Sequence, residues 1–186
     1  MKCKHCGKEI DNDSVFCKFC GAKVNLKCKY CGEEIANDSN FCKFCGKKVN
    51  CETVEQDPAG YVDLGLSVHW KSSNESGYYT YDDAVRSFGS RLPTHAQFTE
   101  LRKCTWTWVG GGYRVTGPNG NSIFLPAAGF RYCDGNVNYV GTLGSYWSST
   151  PNDSDDAWYL HFFSSEVLMS DDDRCRGRSV RLVQGK

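Results

Sequence analysis

Eight cysteines near the amino terminus form the set of residues with the clearest chemistry. They occur as four Cys-x-x-Cys pairs, and ten residues separate the two pairs of each unit. The unit that begins at Lys2 recurs at Lys27, a period of 25 residues. Four thiolates that converge by pairs are typical ligands of tetrahedral zinc. The spacing predicts two zinc sites, formed by Cys3, Cys6, Cys17 and Cys20 and by Cys28, Cys31, Cys42 and Cys45.

Each pair is followed by a glycine, which adopts the positive φ of a tight metal-binding turn at low cost. The units resemble tandem zinc ribbons of the double-zinc-ribbon type over residues 2–49. Units this small bury too little surface to fold alone, so each zinc is expected to contribute on the order of 10 kcal/mol. Because four protein ligands leave no open position, the zinc is predicted to be structural.

The ribbons are interpreted as a structural or docking module, for a partner or for a second copy of the chain. Nucleic-acid binding is the alternative, because Lys4, Lys18, Lys29 and Lys43 alternate with aromatic residues. Residues 1–50 contain ten lysines and six acids, a sum of +4. Two zinc–tetrathiolate sites would each add 2 − 4 = −2 and cancel that charge. A nucleic-acid interface is therefore not favoured.

The whole chain has 22 basic and 22 acidic residues, so no overall field draws it to nucleic acid or to a membrane. No apolar run approaches the roughly 20 residues that cross a bilayer, and Met1 to Cys6 has no signal-peptide core. We therefore expect the protein to remain in the cytoplasm, where thiols stay reduced.

The sequence divides into ribbon 1 (1–25), ribbon 2 (26–49), a polar linker (50–59) and a larger domain (60–186). In that domain, Thr80 to Phe88 and a capping box at Thr94 predict two helices, the second ending near Lys103. On the first helix, Tyr81, Ala84, Val85 and Phe88 are expected to share one face. Short alternating segments separated by glycine turns predict many strands after them. This order of elements predicts an α+β domain.

The stretch from Phe130 to Val183 carries the expected binding surface. On a strand at Ala157 to Phe163, alternation predicts Trp158, Leu160 and Phe162 in the core and Tyr159, His161 and Phe163 outside. Aromatic and charged side chains elsewhere in the stretch complete a mixed surface, which suits recognition more than catalysis. The predicted ligand-binding residues are Tyr132, Cys133, Asp134, Asn138, Tyr139, Ser145, Asp153, Asp155, Asp156, Tyr159, His161, Phe163, Leu168, Ser170, Asp171, Asp172, Asp173, Cys175, Arg176 and Arg178.

Several separate blocks of residues 60–186 resemble the bacterial major-paralogous domain family called FISUMP. The blocks are Val62–Leu66, Arg91–Thr94, Cys104–Trp108, Gly117–Gly129, Tyr146–Ser149 and Ser179–Arg181. The resemblance implies a C-type-lectin-like fold, with two helices and mixed short-stranded sheets. The same fold and closing pattern occur in variable proteins of diversity-generating retroelements, which rewrite Asn codons in the last third of the domain.

Replacement of the adenines in Asn codons would account for many of the residues on the expected surface, from Cys133 to Arg176. Such replacement cannot produce Trp158, Glu166 or Met169, which would therefore belong to the scaffold. An undiversified paralogue remains the alternative reading.

The sequence supports an enzymatic or a calcium-binding function less well than it supports a binding protein. His69, His95 and His161 lie far apart with no nucleophile motif, although the lectin-like fold also includes formylglycine-generating oxidases. The aspartate runs are interpreted as solvated loops instead of calcium ligands, and Cys133 and Cys175 as free, incidental thiols. The sequence therefore predicts a non-enzymatic protein that binds a protein or another macromolecule through residues 130–178. A zinc-ribbon nucleic-acid-binding or regulatory protein and a lectin-fold enzyme are the alternatives.

Overall fold

The computed structural model describes residues 2–3, 5–10, 16–22, 26–27, 34–35 and 60–186, with the backbone alone at 26–27 and 34–35. The predicted ligands Cys28, Cys31, Cys42 and Cys45 and the linker 50–59 lie outside the described residues. In the part of the chain that the structure describes, no helix has the length and apolar character needed to cross a bilayer.

The described residues form a mixed architecture with few helices and mostly small antiparallel sheets. The helices are α1 (Tyr81–Phe88) and α2 (His95–Leu101), with a 3-10 turn at Gly89–Arg91. The strands are β1 (Leu26–Lys27), β2 (Glu34–Ile35), β3 (Tyr61–Asp63), β4 (Val68–Lys71), β5 (Thr105–Trp108), β6 (Gly112–Thr116), β7 (Ser122–Pro126), β8 (Phe130–Arg131), β9 (Val137–Asn138), β10 (Gly144–Pro151), β11 (Asp156–Phe163), β12 (Glu166–Asp173) and β13 (Val183–Gly185).

Local capping explains where both helices begin. The hydroxyl of Thr80 accepts the backbone N–H of Asp83 at 3.2 Å and starts α1. At α2, Thr94 accepts the N–H of Gln97, and the Gln97 side chain accepts the N–H of Thr94. Both arms of the predicted capping box are therefore confirmed. The second helix ends at Leu101, slightly before the predicted end.

Three three-stranded sheets make up most of the domain, in the orders β13–β4–β3, β5–β6–β7 and β10–β11–β12. The first of these pairs β4 near the start of the domain with β13 at its end. Strands β8 and β9 form a small hairpin. Arg131 of β8 then bridges to Gly177, which follows β12, through two backbone hydrogen bonds of 2.7 and 2.8 Å. Long-range pairing therefore joins the segments that carry the predicted surface.

The core lies on both faces of the β10–β11–β12 sheet. Leu160 and Phe162 of β11 are fully buried in the larger cluster, together with Tyr146 and Phe98. On the opposite face, the buried Ala157 belongs to a second cluster together with Trp147, Tyr81 and Leu92. Two consecutive residues of β10, Tyr146 and Trp147, thus fill different clusters, as side-chain alternation requires.

Two sequence-based core predictions need correction. Trp158 is half-buried, and its ring contacts the His95 ring at the edge of the sheet with centroids 4.8 Å apart. It therefore covers the start of α2 instead of entering the core. On α1, Val85 was expected to share the buried face with Tyr81 and Ala84, but it is an exposed large hydrophobic residue.

Substitution of Gly144 tests the packing of the larger cluster. A Cβ at this position of β10 would overlap the ring carbons of Phe162, whereas a Cβ on Gly185 of β13 would meet no atom within 4 Å. We expect Gly144→Ala to lower the free energy of unfolding by about 3 kcal/mol, because overpacking forces the ring from its position. Gly185→Ala is the matched control and should leave it nearly unchanged. Urea denaturation measures both, and equal stability of the two variants would contradict this packing.

Candidate functional site

The amino-terminal cysteines form a compact cluster. The Sγ atoms of Cys3, Cys6, Cys17 and Cys20 all lie within 4.8 Å of one another. Two of the separations are 3.8 Å (Cys3 to Cys20) and 3.5 Å (Cys6 to Cys17). A zinc ion with Zn–S bonds of about 2.3 Å needs sulfur atoms about 3.8 Å apart in a tetrahedron. The donor set and its spacing therefore fit zinc.

Backbone turns shape this cluster. Gly7 N–H donates to Cys3 O, and Gly21 N–H donates to Cys17 O, each at 2.8 Å. Both glycines have positive φ, of 72° and 76°, as predicted. Hydrogen bonding from Cys20, and then the backbone N–H of Phe19, lower the pKa of the Cys17 thiol to about 5, whereas the hydrogen bond to Cys17 and burial raise the pKa of the Cys20 thiol. Cys3, Cys6, Cys17 and Cys20 would hold the ion, and the metal would supply the cross-link that fixes the two turns.

The predicted recognition residues fall into four groups, and the first is one face of β11 and β12. Tyr159, His161 and Phe163 follow one another on this face, with neighbouring ring centroids 5.4 and 6.2 Å apart. Across the pair, Ser170 lies opposite Tyr159 and Leu168 lies opposite His161. Asp172, opposite the buried Ala157, shares this face. These six residues are called the ladder face.

Most of the ladder face is accessible. Leu168 is 39% exposed, and the three rings are half-buried. Burial, and the positive charge of Arg178 and Arg102, lower the pKa of His161, although Glu166 opposes them. The imidazole is therefore neutral at neutral pH and presents an apolar ring with one donor and one acceptor. Glu166, assigned to the scaffold from the sequence, is exposed opposite Phe163 and extends this face.

A second group lies on the β8–β9 hairpin and on the turn after β12. Its members are Tyr132, Cys133, Asp134, Asn138, Tyr139, Cys175 and Arg176. The guanidinium of Arg176 lies 5.2 Å from the ring centroid of Tyr132. Tyr139 is 53% exposed, has a positive φ of 62° and stacks on Phe130. An exposed aromatic residue in this unfavourable backbone region is held in place by its surroundings.

Cys133 and Cys175 are joined by a disulfide, with a sequence separation of 42 and a Cα–Cα distance of 5.3 Å. The prediction that they are free thiols is wrong. The backbone pairing of Arg131 with Gly177 brings the two loops together, and this pairing cannot be read from the spacing of two isolated cysteines. The disulfide ties the β8–β9 hairpin to the end of β12.

Ser145 and Arg178 form the third group, and their predicted exposure is wrong. Ser145 is 0% exposed and Arg178 is 1% exposed. The Arg178 guanidinium lies 3.4 Å from the Tyr159 ring centroid, and it donates to Ser145 Oγ and to Asp172 Oδ2. Asp172 also pairs with Arg176 at 2.9 Å. Burial lowers the pKa of Arg178, while Tyr159 and Asp172 oppose this shift. Arg178 thus supports the ladder face from beneath and links it to the β8–β9 hairpin.

The remaining aspartates do not join the ladder face. Asp156 pairs with Asp173, and Trp158 pairs with Asp171, so these positions point to the other face of the sheet. Asp153 closes a turn instead: its carboxylate accepts the N–H groups of Asp156 and Asp155, which lowers its pKa. The run Asp171 to Asp173 is therefore divided by the pleat, and Asp172 alone of the three faces the rings.

The sequence analysis did not identify Arg174, which stabilises the turn at Asp153 by hydrogen bonds. Its guanidinium donates to the carbonyls of Asp153 and Asp156, and its backbone N–H donates to the carbonyl of Asp155 at 3.0 Å. In the sequence, Arg174 is an arginine beside a run of aspartates, and this pattern does not indicate which groups it contacts. Within the described residues, Cys3, Cys6, Cys17 and Cys20 are the group whose ligand atoms are placed for a metal ion, and the aspartates are not.

Two family models match parts of the chain. One, described as a double zinc ribbon, matches residues 3–54. The other, a domain of unknown function (DUF8237), matches residues 118–183. No curated protein and no solved structure matches the chain. The amino-terminal region is thus similar to double zinc ribbons, and its four-cysteine cluster agrees with zinc binding. The second match covers the ladder face and both loops joined by the disulfide.

Removal of the disulfide tests its contribution to the domain. Closing a loop of this length restricts the unfolded chain, and the loss of the disulfide is expected to cost about 4 kcal/mol. We expect Cys133→Ser/Cys175→Ser to lower the free energy of unfolding by that amount, measured by denaturation without reductant. A thiol-based reductant should destabilise the native protein but not the double variant. Cys104→Ser should keep this sensitivity to reductant, because Cys104 is unpaired. If the reductant left the stability of the native protein unchanged, the Cys133–Cys175 disulfide would be contradicted.

Proposed function

We propose that this chain is a non-enzymatic binding protein. The ladder face and the β8–β9 hairpin form its recognition surface, and residues 60–186 are a C-type-lectin-like scaffold. The zinc ribbons are structural and docking modules that hold two zinc ions, one in each repeat. The observation that carries the proposal is the division of β11 and β12 into a core face and a half-exposed face of aromatic, apolar and polar side chains.

Rigidity supports this assignment. The side chains of the ladder face stand on a sheet whose other face packs Leu160 and Phe162 fully into the core. The disulfide and the Arg178 contacts fix the adjacent loops. A preformed surface binds with a smaller loss of conformational entropy. Aromatic side chains held in this way are the groups that contribute most to a typical protein interface.

The charges around the surface favour a basic protein partner. Glu166 is exposed opposite Phe163 and Asp134 is exposed on the β8–β9 hairpin, whereas Arg176 and Arg178 are paired with Asp172. An acidic rim would steer a basic partner and fix its orientation. It would also repel nucleic acid, which agrees with the balanced charge of the whole chain.

The resemblance to retroelement variable proteins would account for the residues that occupy this surface. The rewriting of Asn codons would vary Tyr159, His161, Phe163, Leu168 and Ser170 without touching the larger core cluster, although Tyr159 also packs against the second cluster. These positions share one face of the sheet, so their substitution leaves the packing of the other face intact. We propose that the surface is diversified in this way.

The DNA around the gene tests diversification. We expect a reverse-transcriptase gene nearby and a near-copy of the 3′ end that differs from it at adenines. The differing codons should include those for Tyr159, His161 and Leu168, and should leave those for Leu160, Phe162 and Met169 unchanged, because these side chains pack inside. A 3′ end without such a copy, or differences spread over core codons, would reject diversification.

Variants of the ladder face test recognition directly. We expect His161→Ala/Phe163→Ala to lose at least about 2 kcal/mol of binding energy for proteins that the native chain captures from its own cell extract. Val85→Ala is the control, because Val85 is an exposed apolar residue on α1, apart from the ladder face. Captured proteins are identified by mass spectrometry, and their affinities are measured by interferometry. Equal affinity of both variants for every captured protein would reject this surface.

A further inference from the structure

The second turn of ribbon 1 contacts the larger domain directly. The carbonyl of Cys20 accepts the backbone N–H of Asn74 at 2.8 Å. The ring of Phe16 stacks on the ring of Phe124, with centroids 4.6 Å apart and planes 21° from parallel. A Cβ on Gly21 would lie 3.2 Å from Nη2 of Arg181, so the turn and this guanidinium are in close approach. One metal ligand, Cys20, thus belongs to the contact itself.

Arg181 is the centre of this contact. It is 0% exposed, and its three nitrogens donate to Asn74 Oδ1, Lys71 O and Phe124 O at 2.7 to 2.8 Å. All three acceptors are neutral. Among the described residues, no carboxylate forms an ion pair with Arg181, and Glu75 is paired with Lys71. A buried guanidinium that lacks a counter-charge is strongly destabilising.

We propose that the zinc-loaded first ribbon supplies this counter-charge and is an integral part of the larger domain. Zinc held by four thiolates has a net charge of 2 − 4 = −2. The metal also fixes the turn whose Cys20 carbonyl accepts the Asn74 N–H, and it positions Phe16. Zinc at Cys3, Cys6, Cys17 and Cys20 therefore stabilises the fold of residues 60–186, and Arg181 is the positioning residue that couples them. This inference is independent of what the ladder face binds.

Tryptophan fluorescence separates this proposal from simple folding of the ribbon. All five tryptophans lie between Trp70 and Trp158, so their emission reports the larger domain. We expect removal of zinc by a chelator to lower the tryptophan-monitored Tm of the full chain by at least about 5 °C. Cys3→Ser should reproduce this loss, and Cys28→Ser, the same change in the second repeat, should not. An unchanged Tm, or an equal loss in Cys28→Ser, would overturn the proposal.

Two glycines of ribbon 1 give a matched test of the contact. Gly21 and Gly7 have nearly the same positive φ, so alanine strains the backbone equally at both. A Cβ on Gly7 meets nothing within 4 Å, whereas one on Gly21 presses on Arg181, Pro126 and Phe124. We expect Gly21→Ala to abolish most of the zinc-dependent Tm shift and Gly7→Ala to retain it. If Gly21→Ala does not fold, Phe16→Ala can be compared instead with Phe41→Ala, the corresponding change in the second repeat. Equal zinc-dependent Tm shifts in the two variants of either pair would overturn the coupling.

The charge of Arg181 is tested through zinc affinity. Because coupling is reciprocal, a residue that lets zinc stabilise the domain must also let the folded domain tighten zinc binding. In a competition experiment with a chelator, we expect Arg181→Met to weaken zinc binding at the first-repeat site by about tenfold or more, and Arg181→Lys to weaken it less. Tryptophan emission checks that each variant is folded. Equal zinc affinity of folded Met and Lys variants would reject the counter-charge role.

Discussion

The alternation of side chains along β11 is the constraint on which the rest of the domain depends. Leu160 and Phe162 must enter the larger core cluster, so Tyr159, His161 and Phe163 must lie on the opposite face of the sheet. A shift of one residue in the pairing with β12 would expose the first set and bury the second. The core packing therefore fixes the register, and the register fixes which side chains are offered to a partner. A surface tied to its core in this way can vary in composition while the backbone beneath it stays the same.

Two buried arginines, three positions apart, connect the carboxy-terminal segment to the two candidate sites. Arg178 lies under Tyr159 and pairs with Asp172, and Arg181 lies against the Cys20 turn. Buried charges are poor sources of stability, because their desolvation offsets most of their attraction. Their directed hydrogen bonds do specify geometry, since a displaced guanidinium would leave several donors buried without acceptors. The segment 178–181 thus holds the ladder face on one side and, under our proposal, the zinc turn on the other.

The ribbon–domain contact changes how the amino-terminal repeat is understood. The sequence suggested two equivalent modules that serve as a tether, but the first repeat stacks Phe16 on Phe124 of the larger domain. The docking of ribbon 1 depends on residues outside the metal site, which the pattern of Cys pairs does not specify. The disulfide shows a similar dependence, since Cys133 and Cys175 meet through the pairing of β8 with the segment after β12.

Local signals in the sequence determined the zinc cluster, both helix starts and the buried side of β11. Each depends on residues within a few turns of one another: the Cys pairs with their glycines, the Thr94–Gln97 capping box and the alternation from Ala157 to Phe163. The tertiary structure decided what depends on distant pairing. It buried Arg178 and Ser145, divided Asp171 to Asp173 between two faces, joined Cys133 to Cys175 and placed Arg181 beside ribbon 1. Composition gives the chemistry of such residues, but their surroundings come from strands far apart in the chain, whose register no local pattern specifies.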